Sequence, residues 1–200
     1  MLRRRPLARA LRAAPLVPYQ GPLCRAVHVG TLYGFRRRAP YRPRPLYDLG
    51  PPAGGARFTP KGGAPALYLA EDYETSLHEY FQVGASARLR PAVATAASVV
   101  VFGAEVRLET VLDLTDPHTR ALLGTTLAEL REPWRYRRDR RTPPTHVLGR
   151  AVAADGRIQA IRFPSTKGTG TCFAILTSVL VAPAFIRVHD PDSRLVAELP

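Results

Sequence analysis

Apolar and polar positions along the chain predict a mixture of short strands and helices. Apolar or alternating runs typical of β-strands lie at 22–30, 66–70, 97–102, 106–114, 158–163, 172–181, 185–188 and 194–199. A turn around Gly103 and Ala104 is expected to join the third and fourth of these strands. Helices are predicted from the N-cap Asp72 to about Val83, from Pro117 to about Leu130, and in a short segment that ends near Ala154. Strands outnumber helices without strict alternation, which favours an α+β fold.

Proline, glycine and arginine interrupt this pattern near the N-terminus. Residues 1–21 predict a loosely structured segment with weak helical potential at Leu7–Ala14, and residues 34–65 predict a long irregular loop. A second irregular loop, rich in arginine and bounded by prolines, is predicted at 131–145. The chain is therefore divided into an N-terminal arm, residues 1–21, and one domain, residues 22–200.

The net charge of +13 belongs mainly to the N-terminal region. Residues 1–47 hold eleven arginines and no acidic residue, whereas charges nearly balance in the remainder. The basic arm has three interpretations. It is a solvated segment or the product of a mis-assigned start codon, it contacts an acidic partner or nucleic acid, or it is a transit peptide that lacks the usual serines.

Several classes of protein are excluded by composition and spacing. The two cysteines, Cys24 and Cys172, do not make a disulfide scaffold, so a reducing compartment and a cytoplasmic location are expected. No apolar run approaches the roughly 18 residues that a membrane span needs. The five histidines lack zinc-ligand spacing, so no metal is expected. The chain has no Walker or Gly-x-Gly-x-x-Gly motif, which argues against an NTPase or a Rossmann enzyme.

Four residues form the candidate chemistry: Arg57 in Gly-Ala-Arg-Phe, Tyr68 in Ala-Leu-Tyr-Leu-Ala, Glu79 in His-Glu-Tyr-Phe, and Ser165 in Phe-Pro-Ser-Thr. Helical geometry places Glu79 opposite an apolar face formed by Leu77, Tyr80 and Phe81. By itself, this position suits a solvated glutamate as well as a catalytic one. The other three have equally ordinary interpretations as a surface arginine, a core tyrosine and a loop serine.

The order Arg…Tyr…Glu…Pro-Ser resembles the RES family, from about Arg25 to about Leu180. Its members are toxins that act on NAD+ and are usually encoded beside an Xre-like, helix-turn-helix antitoxin. The resemblance implies a single domain with the ADP-ribosyltransferase fold, in which helices flank central twisted β-sheets. Two departures from the family pattern stand out. Phe58 and Thr59 replace a tryptophan and an asparagine, and the segment after Ser165 lacks an asparagine.

The resemblance also implies roles for individual residues. Glu79 would stabilise positive charge on the ribose, and Arg57 would pair with the NAD+ pyrophosphate. Tyr68 would stack on a base, and Ser165 would bond to the substrate or to Glu79. Arg25 is a weaker candidate for phosphate binding. Glu79, Arg57 and Ser165 are thus the predicted catalytic set, and Arg25, Arg57, Tyr68 and Ser165 the predicted NAD+-binding set.

Three functions remain open at this point. The leading expectation is a toxin that cleaves the nicotinamide–ribose bond as a glycohydrolase or phosphorylase, meeting nucleic acid only through its antitoxin. The same first step also serves an ADP-ribosyltransferase. The third is a nucleic-acid-binding module without catalysis, built from the arginines at 3–44 and from the loop 135–141, where Trp134 and Tyr136 lie among arginines.

Overall fold

The computed structural model describes residues 4–33, 43–82, 98–135, 142–190, 192 and 195–200. The helices are α1 (Arg4–Ala13), α2 (Val29–Tyr33), α3 (Gly50–Gly54), α4 (Tyr73–Phe81), α5 (Pro117–Leu122), α6 (Leu127–Arg131) and α7 (Pro144–Asp155). The strands are β1 (Val17–His28), β2 (Ala66–Ala70), β3 (Val99–Asp113), β4 (Ala160–Pro164), β5 (Thr171–Leu176), β6 (Phe185–Asp190) and β7 (Leu195–Leu199). The mixed α+β class predicted from the pattern is confirmed.

The described strands form one sheet that partly closes on itself. Their order is β1-β2-β5-β4-β3-β6-β7, and β1 pairs with β3 as well. The strands β1, β2, β5, β4 and β3 are therefore joined in a closed cycle, in which only the β3–β4 pair is parallel. Leu23, Val106 and Phe173 belong to one buried apolar cluster that unites strands of this cycle. Burial of each such side chain contributes roughly 1.5–3 kcal/mol.

A second apolar cluster includes residues of α1 and α7. Leu7 and Leu11 of α1 are fully or almost fully buried in this cluster, which also contains Leu148 and Val152 of α7. Leu7 and Leu11 are four residues apart and so share one face of the helix. The prediction of a loosely structured arm over residues 1–21 was wrong for the described part, although the helical potential near Leu7–Ala14 was correct. Strand β1 already begins at Val17, so the expected boundary falls inside a strand.

Two further predictions were wrong in detail. The expected turn at Gly103 does not exist, because this glycine pairs with Cys24 within the continuous strand β3. The helix expected from Pro117 to Leu130 is two helices, α5 and α6. They are separated at Gly124, whose φ is 58°, and α6 begins at Leu127, after the N-cap Thr126, which forms a capping box with Glu129.

The irregular segments are described only in part. Residues 43–65 contain the short helix α3 and otherwise turns, which agrees with the expected loop. Residues 34–42, and residues 136–141 of the basic loop at 131–145, lie outside the described residues. Within the described ranges, no helix combines the length and apolar character needed to span a bilayer.

Candidate active site

A cavity of about 220 Å³ brings most of the predicted site residues together. Its walls come from β1, β2, α4, the loop after α3 and the residues after α6. The polar side chains that line it include Arg25, Arg57, Tyr68, Ser76, Glu79 and Tyr80, and they are joined by Cys24, Trp134, Phe163 and Cys172. Four of the five predicted residues thus line one cavity. Ser165 is not among its lining residues.

Helix α4 presents Glu79 to this cavity. The helix begins at Asp72, whose carboxylate accepts hydrogen bonds from the amide nitrogen (2.6 Å) and the hydroxyl (2.7 Å) of Thr75. It ends at Gln82, which takes the left-handed conformation with φ of 57°. The buried residues of the helix are Thr75, Ser76, Leu77 and His78. Of the expected apolar face, Leu77 is therefore buried, whereas Tyr80 and Phe81 are only partly buried.

The turn after β4 holds the Glu79 carboxylate. The Ser165 hydroxyl donates to Oε1 of Glu79 at 2.6 Å, and the backbone N–H of Thr166 donates to the same oxygen at 3.0 Å. Among the described residues, both hydrogen bonds to this carboxylate end on Oε1. Oε2 is therefore available to a bound ligand.

Ser165 also organises its own turn. Its Oγ accepts hydrogen bonds from the amide nitrogens of Lys167 (3.1 Å) and Gly168 (2.7 Å). Only 4% of the residue is exposed, and it lies behind Glu79 rather than in the cavity wall. Of the two partners expected for Ser165, the structure shows Glu79.

A glycine fixes this turn against the start of α4. A Cβ at Gly170 would overlap the Asp72 carboxylate, and the Gly170 amide donates to the Thr75 hydroxyl at 3.2 Å. The backbone of the turn therefore packs against the side chains of Asp72 and Thr75 at the start of α4. This contact sets the position of Ser165 relative to Glu79.

Arg57 joins three parts of the chain beside Glu79. Its Nη1 donates to the carbonyl oxygens of Leu130 (2.7 Å) and Glu132 (3.1 Å), and its Nη2 donates to Oγ1 of Thr166 (2.9 Å). Burial lowers the pKa of Arg57, while the nearby Glu79 carboxylate acts in the opposite direction. A guanidinium has five N–H donors, so two remain for a ligand after these three contacts.

Tyr68 supports the loop that carries Arg57. Its hydroxyl accepts from the amide nitrogen of Phe58 at 2.9 Å and shares a 3.0 Å hydrogen bond with the hydroxyl of Thr59. Burial raises the pKa of Tyr68 to about 12. Thr59, one of the two residues after Arg57 that depart from the family pattern, thus fills a hydrogen-bonding role here. Stacking of Tyr68 on a base stays a prediction.

Phe58, the other departure, is an apolar anchor. It is almost completely buried and packs edge-on against Phe163, with ring centroids 4.8 Å apart. A Cβ at Gly149 of α7 would overlap the carbonyl group of Phe58. This contact needs glycine in the helix, and it fixes the loop of Arg57 against α7.

Arg25 also binds main-chain carbonyl groups. Its Nη1 donates to Pro45 O at 2.6 Å and its Nη2 to Tyr47 O at 2.8 Å. Burial lowers the pKa of Arg25 to about 10, an effect opposed by Asp48. Arg25 therefore holds a segment of the irregular loop 34–65 against β1, and phosphate binding by this residue stays a prediction.

Sequence reasoning missed several residues that line the cavity or bond to the side chains lining it. Thr166 bonds to both Glu79 and Arg57, and its place directly after Ser165 was the available signal. Ser76 precedes Glu79 by three residues, which is the spacing of neighbours on one helical face. Trp134 was predicted only as part of a basic loop. Its ring lies 5.8 Å from that of His146, and the Arg135 guanidinium lies over it at 4.4 Å.

The thiols of the cavity are poorly suited to nucleophilic chemistry. Cys24 and Cys172 are free and flank Ala70 on either side in the sheet. Burial raises the pKa of both thiols, so the reactive thiolate is disfavoured. Within the described ranges, no group of three or more His, Cys, Asp or Glu residues is arranged to hold a metal ion.

Known proteins resemble this chain in sequence profile and in fold. The profile of the RES domain matches residues 31–197. No curated protein sequence matches the chain. Among solved structures, the fold is similar to a chain in the crystal structure of the M. tuberculosis MbcT-MbcA toxin–antitoxin complex. The TM-score is 0.61 at 18% identity, over 92% of this chain and 90% of that chain.

Proposed function

Because this chain belongs to the RES domain family, we propose that it is the toxin of a toxin–antitoxin pair and cleaves the nicotinamide–ribose bond of NAD+. The observation that carries the proposal is the Glu79 carboxylate, which Ser165 and Thr166 hold in the cavity through Oε1, the oxygen that takes both of its hydrogen bonds from described residues. A fixed carboxylate with one oxygen available suits a reaction in which positive charge develops on a sugar.

The chemistry needs one carboxylate. The bond between the ribose anomeric carbon and the pyridinium nitrogen breaks, and its electron pair leaves with nicotinamide, which becomes neutral. The carbon acquires oxocarbenium character, which Glu79 stabilises through its charge and through a hydrogen bond from a ribose hydroxyl. Water or phosphate then attacks the carbon and loses a proton. No general acid is required for the leaving group.

The size and charge of the cavity support a dinucleotide that is bound by one end. About 220 Å³ is below the roughly 300–1,000 Å³ typical of pockets for drug-sized ligands. The nicotinamide riboside end therefore occupies the cavity while the adenosine end lies outside it. Arg57, with two N–H donors remaining, is placed to meet the pyrophosphate.

The reaction products identify the acceptor of ADP-ribose. Purified protein is incubated with NAD+ in buffers with and without phosphate, and nicotinamide, ADP-ribose and ADP-ribose phosphate are separated by chromatography. Labelled NAD+ and a host lysate reveal transfer to protein. We expect free nicotinamide with ADP-ribose or its phosphate. If labelled protein is the main product, the activity is ADP-ribosyl transfer rather than hydrolysis or phosphorolysis.

Two variants on one helix test the role of Glu79. Glu79→Gln removes the charge that stabilises the ribose cation. At a distance of roughly 4 Å and an effective dielectric of about 20 this charge is worth about 4 kcal/mol, so turnover falls about 10³-fold. Glu74→Gln makes the same chemical change on the exposed side of α4, where Glu74 lies 3.6 Å from His78, and leaves turnover unchanged. Wild-type turnover in correctly folded Glu79→Gln contradicts the proposal.

We propose an Xre-like, helix-turn-helix protein as the antitoxin partner. The M. tuberculosis complex supports a partner of the antitoxin type, and an enzyme that consumes NAD+ inside the cytoplasm requires an inhibitor. Expression of this chain alone should lower cellular NAD+ and arrest growth, and Glu79→Gln or a co-expressed antitoxin should prevent both effects. Harmless expression of soluble protein with unchanged NAD+ would instead favour the nucleic-acid-binding alternative.

A further inference from the structure

Ser76 lines the cavity and carries a buried hydroxyl without a partner among the described residues, which points to a contact with the substrate that none of the described roles explains. Ser76 is 6% exposed, and its Oγ has no hydrogen-bond partner among the described residues. The residue nevertheless lines the same cavity as Glu79. A buried hydroxyl without a partner destabilises the free protein, so its retention at a cavity wall suggests that a ligand supplies the partner.

The position of Ser76 on α4 indicates which part of the ligand it meets. Ser76 and Glu79 are three residues apart on the helix, and their side chains are neighbours on one face. At this helical spacing Cβ atoms are roughly 5–6 Å apart, so with Glu79 at the ribose, Ser76 lies about one substituted pyridine ring away. The group at that distance from the glycosidic bond is the carboxamide of nicotinamide.

The charge of the site favours the same group. The phosphates are anionic, and the cavity already offers Arg57 and Arg25 to them. A serine hydroxyl is neutral and both donates and accepts, which matches a carboxamide with its N–H and C=O groups. We propose that Ser76 binds the nicotinamide carboxamide and positions the leaving group beside Glu79. This assignment rests on the proposed function, because it takes NAD+ as the substrate.

The test uses Ser76→Ala, which removes one oxygen atom, and two kinetic constants. Nicotinamide contains the carboxamide but no ribose or phosphate, so its inhibition constant isolates the proposed contact. We expect Ser76→Ala to raise this constant and the KM for NAD+ by roughly threefold to tenfold each, the range for one neutral hydrogen bond. A raised KM with an unchanged inhibition constant would move Ser76 to the ribose or phosphates, and two unchanged constants would remove it from the site.

A matched control and a stability measurement exclude a merely structural effect. Thr145 Oγ1 is the other buried hydroxyl without a partner in the described part of the chain, and Thr145 does not line the cavity. Thr145→Ala should leave both constants unchanged. Ser76→Ala should also raise the Tm of the free protein by roughly 2–4 °C, because an unpaired hydroxyl is removed from a helix. A lower Tm together with weaker binding would indicate lost packing and contradict the proposal.

A failure of the proposed function can be distinguished from a failure of the Ser76 contact. If wild-type protein does not cleave NAD+, calorimetry with nicotinamide decides the Ser76 contact alone. Binding that is lost in Ser76→Ala supports the contact without the reaction, whereas no binding by wild-type protein refutes both. If wild-type protein cleaves NAD+ and Ser76→Ala is unchanged, only the present inference fails.

Discussion

Replacement of Ser165 by alanine tests whether this residue positions Glu79 or reacts itself. The change removes three hydrogen bonds: one to the Glu79 carboxylate at 2.6 Å, and one from each of the amide nitrogens of Lys167 and Gly168. The two neutral bonds contribute about 1 kcal/mol each, and the bond to the carboxylate about 1.5–3 kcal/mol. With some relaxation of the turn, unfolding should become about 2–4 kcal/mol easier. For a chain of this size, Tm then falls by roughly 4–16 °C.

The effect on catalysis should be smaller than that of losing the carboxylate. In Ser165→Ala the Thr166 amide still holds Oε1 of Glu79 at 3.0 Å, so the charge remains near the ribose with a looser orientation. We expect kcat to fall about tenfold to a hundredfold, or about 1.4–2.7 kcal/mol in the barrier. KM should change little, because Ser165 does not line the cavity.

The assay combines thermal unfolding with nicotinamide release, measured below the lowered Tm. Thr110→Val is the control: it removes a hydroxyl that donates to Arg157 O at 2.6 Å, outside the cavity lining, and should affect stability without affecting kcat. Native Tm and full activity in Ser165→Ala would refute the positioning role. Complete loss of turnover in a folded variant, as deep as in Glu79→Gln, would make Ser165 a nucleophile instead.

Three further predictions follow from the contacts around the cavity and from α1. Arg57→Lys keeps the charge, but a lysine cannot make the three carbonyl and hydroxyl contacts of Arg57 and also bind a phosphate. The Kd for NAD+, measured by calorimetry, should therefore rise at least tenfold. An unchanged Kd would exclude the pyrophosphate role. Because the pKa of Tyr68 is raised to about 12 in the folded protein, this residue binds its proton more tightly than in the unfolded chain; its contribution to stability is present below about pH 10 and is lost as pH rises towards 12. Denaturant titrations should show that alkaline loss, and Tyr68→Phe should reduce it. Removal of residues 1–13 exposes the partners of Leu7 and Leu11, which should cost roughly 3–6 kcal/mol of unfolding free energy; undiminished stability would show that α1 is dispensable.

Local signals explain which elements could be predicted. Strand β2 has the predicted bounds, and α4 begins at the predicted cap, because an apolar run is followed directly by Asp72 and a helical pattern. Gly103 was predicted to lie in a turn because glycine is common in turns. In the structure it lies within a paired strand, where an added Cβ would have no atom within 4 Å. The break before α6 had a readable signal, the capping box of Thr126 and Glu129.

The sequence predicted which residues gather at the cavity, but not which residues they contact. Family resemblance named Arg57, Tyr68, Glu79 and Arg25, and the fold brings them to one cavity. The partners of Arg57 lie 73 to 109 residues away in the chain, and no local pattern specifies such pairs. Ser76 was overlooked for a related reason: a serine without a partner becomes informative only when its burial is known.

The closed cycle of strands has a consequence for synthesis of the protein. The cycle depends on β5, which pairs with β2 and β4, and Glu79 meets Ser165 across 86 residues. At about 5–20 residues per second, on the order of ten seconds separate translation of these two residues. The nascent chain cannot assemble the site until Ser165 and β5, which ends at Leu176, have left the ribosome. Under the proposed function, the toxin is harmless while it is being made, and the proposed antitoxin has that interval, together with the slow pairing of distant strands, in which to reach it.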